Sequence, residues 1–341
     1  MKALFLAGGL GTRLRPITDK IPKPMVPIMG KPLLERSIEN LKRSGIDEIV
    51  LSTCYKAHKI KKYFGDGREY GVKIDYIAED IPLGTAGAIR NARKFFDDTF
   101  AVFNSDIISD IDISEMLRFH REKKALATIA VSRVPNPSAY GVIEQDENGF
   151  ITAFKEKPGR NETSSNLINA GIYIFEPGLL DEIPEGRKVS VERETYPLLL
   201  EKGYRLSAYD KCSYWLDIGT KEKYIKAHRD ILNGKLKIGE HDFAAEPQYI
   251  SAKAEIHEDA KITGPVYIGD YAQIGDSAVI GPDTVLCGHS FVDREASVAG
   301  SLVWDHVKIG KGASIVDSII MPYCTVEDDS EEYNSVLTMA V

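Results

Sequence analysis

The sequence predicts an α/β domain with an open, mostly parallel sheet, followed by a parallel β-helix. Strand-like apolar runs alternate with amphipathic helix-like runs as far as about residue 230, the pattern of a sheet covered by helices on both faces. Beyond Gly239, aliphatic residues recur at every sixth position. That period fits neither helix nor ordinary sheet, but it fits coils of three short strands stacked on one another. A length of 341 residues accommodates two such domains.

In the first region "KALFLAG" reads as a buried strand and "PLLERSIENLKRSG" as an amphipathic helix that stops at Gly45. The alternation continues through "EIVLSTC" (strand), "HKIKKYFGDG" (helix), "VKIDYIAE" (strand), "GTAGAIRNARKFF" (helix) and "TFAVFNSD" (strand). "ATIAVSRV", "GVIEQDENGFITAFKEKP" and "NAGIYIFEP" add strand-rich pieces, with a hairpin turn at Asn148-Gly149. "KEKYIKAHRDILNG" reads as a helix closing the domain. The six-residue series then runs through Ile250, Ile256, Ile262, Ile268, Ile274, Ile280, Leu286, Val292 and Val298. It slips by one near Trp304 and resumes at Ile309 and Ile315. The acidic stretch "VEDDSEEYNSV" is expected to cap the last coil or to lie free. The closing "SVLTMAV" is apolar enough to dock, at no assigned place.

Composition narrows the function. A net charge of −8 argues against a non-specific nucleic-acid binder, which carries a basic stripe. A small anionic substrate is still allowed, because local lysines and arginines can outweigh the global balance. Cys54, Cys212, Cys287 and Cys324 form no CxxC pair, so a zinc site or disulfide framework is not expected and a reducing cytoplasm fits. The opening "MKALFLAGG" is too short an apolar run for a secretory signal, and no run approaches the roughly 20 residues of a membrane span.

The loop after the first strand, "LAGGLGTRLRPITDKIPKP", combines bare backbone with positive charge. In an open α/β sheet this loop lies at the carboxyl end of the strand, where nucleotides bind. Gly8, Gly9 and Gly11 let the backbone approach a ligand and offer N–H donors to phosphate oxygens. The run is not GxGxxG, and no GK[ST] follows at P-loop spacing. Its charges come later, at Arg13, Arg15 and Lys23. A glycine-rich turn beside surface arginines is common by itself; the whole run ending in "PKPM" is not.

"LAGGLGTRLRPITDKIPKPM", "EDIPLGTAGA", "NSDI", "YGVI", "FKEKP", "NAGIYIF" and "WLDIGT" occur in this order. Together they resemble the sugar-1-phosphate nucleotidylyltransferases, and "VSVERETYPLLLEKGYRLSAYDKCSYWLDIGT" with the short β-helix resembles most the mannose-1-phosphate guanylyltransferase branch. The resemblance implies a Rossmann-like mixed-sheet nucleotidyltransferase domain over 1–235 and a left-handed parallel β-helix of hexapeptide repeats over 236–341. It implies NTP and sugar 1-phosphate as substrates, Mg²⁺ as cofactor, and direct attack of the sugar phosphate on the α-phosphorus with release of pyrophosphate.

The same resemblance assigns roles to residues. Arg13 would hold the departing pyrophosphate and Lys23 the reacting phosphates, within a nucleotide site of Leu6, Ala7, Gly8, Gly9, Gly11, Thr12, Glu79, Pro82, Gly84 and Thr85. Asp106 and Asp217, each after a strand, correspond to the family's pair of Mg²⁺ ligands; hard carboxylate and phosphate oxygens suit that ion. A single aspartate after a strand is more often a cap or turn residue. The sugar side falls to Asn104, Gly141, Glu156, Lys157 and Asn169.

In the family the residue five places before the glycine of "PLGTAG" faces the base, and here it is Glu79. Guanine offers two donors that a carboxylate can accept, whereas uracil and thymine offer a donor and an acceptor, which glutamine matches. Glu79 thus tilts the reading to GTP, with mannose 1-phosphate as sugar and a heptose 1-phosphate or a thymidylyl- or uridylyltransferase as alternatives. A catalytically silent regulatory subunit would show degraded motifs, yet Arg13, Lys23, Asp106 and Asp217 are all present. A β-helix acyltransferase would use a histidine of the repeats, such as His257, His289 or His306. We read the repeats instead as a platform for a homo-oligomer, because exposed strand edges need covering.

Overall fold

The structure is a computed structural model that describes residues 1–79, 81–159, 163 and 165–339. Asp80 of "EDIPLG" and the last two residues of "SVLTMAV" lie outside them. The chain divides into two compact units, the first formed by Met1–Leu10, Pro22–Pro24 and Ser37–Asp217, the second by Gly11–Ile21, Met25–Arg36 and Ile218–Val341. Among the described residues no helix is long and apolar enough to cross a membrane, and the four cysteines form no disulfide.

The first unit is built on β1 (Lys2–Ala7), whose Ala3, Leu4, Phe5 and Ala7 are buried, as in a strand packed on both faces. It is flanked by β2 (Glu48–Thr53), then β3 (Lys73–Ala78), and on its other side by β4 (Phe100–Asn104). These four strands are parallel. They are connected through helices α1 (Leu33–Arg43), α2 (Ala57–Phe64) and α3 (Gly84–Asn91). The chain runs outward from β1 to β3, then returns across β1 to β4. The β1/β4 boundary is therefore the topological switch point, outside whose carboxyl ends such sheets bind ligands.

The expectation of a mostly parallel sheet holds only for this half. Past the short strand β5 (Ile107–Ser109) and helix α4 (Ile113–Lys123, capped by Asp112) come β6 (Ala127–Arg133), the hairpin β7 (Gly141–Gln145) and β8 (Ile151–Glu156), and β9 (Leu167–Phe175). β9 is antiparallel to β4, β6 and β7, so the sheet is mixed. The hairpin turns at Asn148-Gly149 as read, with the Asp146 carboxylate accepting from the Asn148 and Phe150 amides at 2.9 and 2.8 Å. The helix expected to reach residue 96 ends at Asn91, and a separate 3₁₀ turn covers Arg93–Phe95. Helix α5 (Tyr196–Glu201), β10 (Leu206–Tyr209) and β11 (Trp215–Asp217) complete the unit. Among the described residues β11 pairs with β5 alone, as an antiparallel ribbon.

The second unit contains the β-helix, three parallel sheets of short strands consistent with a left-handed coil. Gln248 pairs with Val266 and Val266 with Thr284, a full three hexads per coil. Val285 pairs with Leu302 and Leu302 with Ile319, one residue fewer, which is the slip read near Trp304. Ile268, Ile280, Val292, Val298, Ile309 and Ile315 are fully buried, whereas Ile250 on the first coil is 40% exposed.

The acidic stretch is neither a cap nor free. It forms the last coil, through Thr325–Val326, Glu331–Tyr333 and Val336–Leu337. Glu332 occupies the slot that pairs with Ile315, so a charged residue hid the period from the sequence. The helix α6 (Lys221–Leu232), expected to close the first domain, packs in this unit against the 25–36 segment. There Tyr224 Oη donates to the Pro27 carbonyl at 2.6 Å, and the Met29 amide donates to His228 Nε2 at 3.3 Å.

Candidate active site

A cleft of about 310 Å³ opens at the switch point, lined by the loops after β1, β3 and β4. Leu6, Gly8, Gly9, Lys23, Glu79, Pro82, Gly84, Thr85, Asn104 and Asp106, all singled out from the sequence, line it together. Pro24, Ala88 and Ser105 line it too; each lies within one of the quoted motifs but was given no role from the sequence. Ala7 is the buried last residue of β1 and does not reach the cleft. Gly11, Thr12 and the exposed Arg13 belong to the second unit.

The strand ends fix the floor. Leu6 and Asn104 are opposite one another in the β1/β4 register, and Ser105 Oγ donates to the Leu6 carbonyl at 2.8 Å. A Cβ added at Gly9 would meet nothing within 4 Å. Packing therefore does not demand that glycine, and the space above it is available to a ligand. Lys23 is 8% exposed and its Nζ stands 2.5 Å from Asp106 Oδ2. The ammonium is buried while the Asp106 carboxylate keeps about a third of its side chain exposed at the cleft, a short charge-assisted pair.

β5 and β11 decide the aspartate pair. Asp217 stands opposite Ile107, the residue after Asp106, so residues far apart in sequence are brought to one end of a ribbon. Asp217 is 8% exposed and accepts from Tyr140 Oη at 3.1 Å. Two hard carboxylates at adjacent register are a donor set that fits Mg²⁺.

Glu79 is held on both oxygens. Ser52 Oγ donates to Oε1 at 2.6 Å and the Leu83 amide donates to Oε2 at 3.0 Å. Ser52 is fully buried on β2, so the carboxylate is anchored from beneath the cleft. Helix α3 begins next to it, and two amides of its first turn are taken by the protein itself. The Ala86 and Gly87 amides donate to the Val189 carbonyl at 3.1 and 3.3 Å. Gly84 makes this approach possible: its φ is +73°, and a Cβ there would stand 2.5 Å from that carbonyl oxygen.

The sugar-side residues converge around β7, β8 and β9. A Cβ at Gly141 would lie 2.7 Å from the Phe154 ring and 3.0 Å from Glu156 Oε2. Lys157 takes a left-handed φ of +52° and its amide donates to the Tyr140 carbonyl at 2.9 Å, an unusual backbone of the kind found at functional sites. Asn169 is oriented by the Gly171 amide, which donates to its Oδ1 at 3.0 Å, and donates through Nδ2 to Tyr173 Oη at 2.9 Å. Burial pushes the Glu156 carboxyl above its usual range and the charge of Glu192 adds to this, against Lys157 and Arg193. Ser52, Tyr140, Tyr173 and Glu192 were missed, since a serine in a strand or a tyrosine within a motif shows no partner until the sheet is assembled.

The β-helix histidines are surface residues. His257 lies with Asp259 and Asp276, all three exposed. His289 and His306 stack between Tyr271 and Tyr323 in a ladder of rings 4.7 to 5.0 Å apart.

A switch-point cleft holding a buried lysine paired with a half-buried aspartate places the protein among the α/β folds that bind ligands at the carboxyl ends of their strands. The nucleotidyl transferase family model matches residues 2–234, and the GMPPB C-terminal domain model matches residues 262–341. A UTP–glucose-1-phosphate uridylyltransferase of Synechocystis is 37% identical over 95% of this chain and 88% of its own length. A mannose-1-phosphate guanylyltransferase of Mycobacterium tuberculosis is 39% identical over 88% of this chain and 82% of its own. Mannose-1-phosphate guanylyltransferase 1 of Arabidopsis thaliana is 37% identical over 96% of this chain and 87% of its own. The chain belongs to the nucleotidyl transferase family and is a nucleotidyltransferase.

Proposed function

We propose that the protein transfers a guanylyl group from GTP to mannose 1-phosphate, giving GDP-mannose and pyrophosphate. The observation that carries the base assignment is Glu79, a carboxylate clamped by Ser52 and Leu83 at the rim of the cleft. Each oxygen accepts one bond from the protein and keeps a lone pair, enough for the two donors of a guanine edge. The guanylyltransferase relatives and the C-terminal domain match support the same reading.

A phosphate monoester has a second pKa near ~6, so the sugar phosphate is already largely dianionic at neutral pH. One of its oxygens attacks the α-phosphorus in line, a P–O bond forms, and the bond to the β-phosphate oxygen breaks, so pyrophosphate leaves. The protein aligns two anions and neutralises charge between them. Lys23 supplies a buried cation, and Arg13 is assigned to the departing pyrophosphate. Glu156 accepts from sugar hydroxyls, Lys157 meets the sugar phosphate, and Asn169 offers its second Nδ2 hydrogen. Asp106 and Asp217 would hold Mg²⁺, which when bound screens the phosphate charges.

We assign the β-helix as the surface for self-assembly, with its exposed Tyr271–Tyr323 ring ladder as support; light scattering that gives a monomer removes this assignment. The activity is tested by pyrophosphate release with Mg²⁺, using GTP, UTP, dTTP, ATP and CTP against mannose 1-phosphate and glucose 1-phosphate. Turnover confined to GTP with mannose 1-phosphate supports the proposal. A preference for UTP or dTTP with glucose 1-phosphate overturns the base and sugar assignments and leaves the transfer chemistry standing.

A further inference from the structure

Residues 187–192 are clasped onto the first turn of α3. The Val189 amide donates to the Leu83 carbonyl at 2.9 Å, and the Val189 carbonyl takes the Ala86 and Gly87 amides. Thr85, which lines the nucleotide cleft, is fixed from this segment: its Oγ1 accepts from the Val191 amide at 2.8 Å and donates to Glu192 Oε2 at 3.0 Å. Ser190 Oγ donates to the same oxygen at 2.8 Å. Both bonds fall on Oε2, and Oε1 has no hydrogen-bond partner among the described residues. The five-residue turn Val191–Thr195 that carries Glu192 packs against β8, the strand that ends at Glu156.

We propose that Glu192 is a positioning residue for both substrates: its Oε2 sets the hydroxyl direction of Thr85 in the nucleotide cleft, and its charge acts on Glu156 in the sugar pocket. The first half follows from hydrogen-bond arithmetic. A threonine hydroxyl has one proton and two lone pairs. Here the proton goes to Glu192 and one lone pair takes the Val191 amide, so Thr85 shows the cleft a lone pair and selects a donor. The second half follows from the packing of the Val191–Thr195 turn on β8, the strand that carries Glu156. The groups acting on Glu156 are Glu192, Lys157 and Arg193, and Glu192 alone among them opposes its ionisation. This half rests on the reading of Glu156 as the sugar-facing carboxylate.

The test uses the whole chain with the best substrate pair of the wild type, comparing Glu192→Gln and Glu192→Ala. Glutamine keeps a carbonyl acceptor for Thr85 and Ser190 and removes the charge. It should leave the KM for NTP within about twofold and move the acidic limb of kcat/KM for the sugar phosphate to lower pH. Alanine frees the Thr85 hydroxyl and should raise the KM for NTP about tenfold, the worth of one ordinary hydrogen bond. A Glu192 that only braces the fold would lower the melting temperature of both variants and leave the acidic limb in place, and that outcome overturns the proposal. So does an alanine variant with an unchanged KM for NTP. If the wild type prefers a nucleotide other than GTP, the base assignment falls while the glutamine–alanine split still decides on Glu192.

Discussion

Replacing Glu79 by glutamine should convert the base preference, because the protein's own bonds leave the new side chain one arrangement. The Leu83 amide can only donate, so the glutamine oxygen must take the place of Oε2, 3.0 Å from that amide. The amide nitrogen then faces Ser52 Oγ, which stands 2.6 Å from Oε1 and can rotate from donor to acceptor. What remains for the ligand is one lone pair and one N–H. That edge matches uracil or thymine and sets an N–H against one of the guanine donors. Losing a charge-assisted bond of about 1.5–3 kcal/mol and leaving a buried donor unpaired gives about 3 kcal/mol, or roughly a hundredfold in kcat/KM for GTP. The assay is kcat/KM for GTP, UTP and dTTP in wild type and variant, with melting temperatures to confirm that both are folded. A folded variant whose GTP-to-UTP ratio equals that of the wild type would refute the reasoning.

Lys23→Met should lower kcat by about 10²–10³, since a phosphate-facing cation acts mostly in the transition state, and should also lower the melting temperature, because Asp106 loses its partner; steady-state kinetics of the folded variant showing less than a fivefold loss would remove Lys23 from the reaction. His228 is fully buried and neutral, and burial depresses its pKa to about 4 from an ordinary 6.5. Its contribution is present in full above pH 6.5 and is lost as pH falls toward 4, on the order of 2–3 kcal/mol by pH 4.5. Urea unfolding of wild type and His228→Gln at pH 7.5 and 4.5 measures it, and parallel pH profiles would contradict it. Gly84→Ala puts a Cβ against the Val189 carbonyl at a φ of +73° and should cost about 2 kcal/mol or more. An unfolding free energy within 0.5 kcal/mol of wild type, roughly the spread of neutral surface substitutions, would show that the clasp on α3 tolerates a side chain.

Local chemistry made much of the fold legible. The β1 strand shows itself as an unbroken apolar run, and the inward hexads from Ile268 to Val298 are buried where the period places them. The reading failed where a partner outranked the local pattern. β9 alternates poorly because nearly all of its residues are buried between antiparallel neighbours, so its direction was invisible. The last coil was hidden by Glu332, tolerated at an inward slot because the end of a stack is half open to water. At the cleft, Lys23, Glu79, Asn104 and Asp106 could be named because each sits in a recognisable run. Ser52, Tyr140 and Glu192 could not, because each acts through a bond to a residue distant in sequence; Tyr173 could not, because it meets Asn169, four residues away, across an irregularity in the pairing of β9 with β6.

The sequence by itself determined which chemical groups the protein has to work with: the glycine loop, the buried-lysine motif, the carboxylates and the six-residue period. These are properties of adjacent residues, set by steric and hydrophobic constraints that act over a few positions. Only the tertiary structure decided how they are used. Strand register set Asp217 beside Asp106, a β2 serine fixed the face of Glu79, and Val189 took two amides of the first turn of α3 while Glu192 fixed Thr85. Hydrogen bonds and charge act through space over a few ångströms, and which groups lie that close is a property of the folded chain.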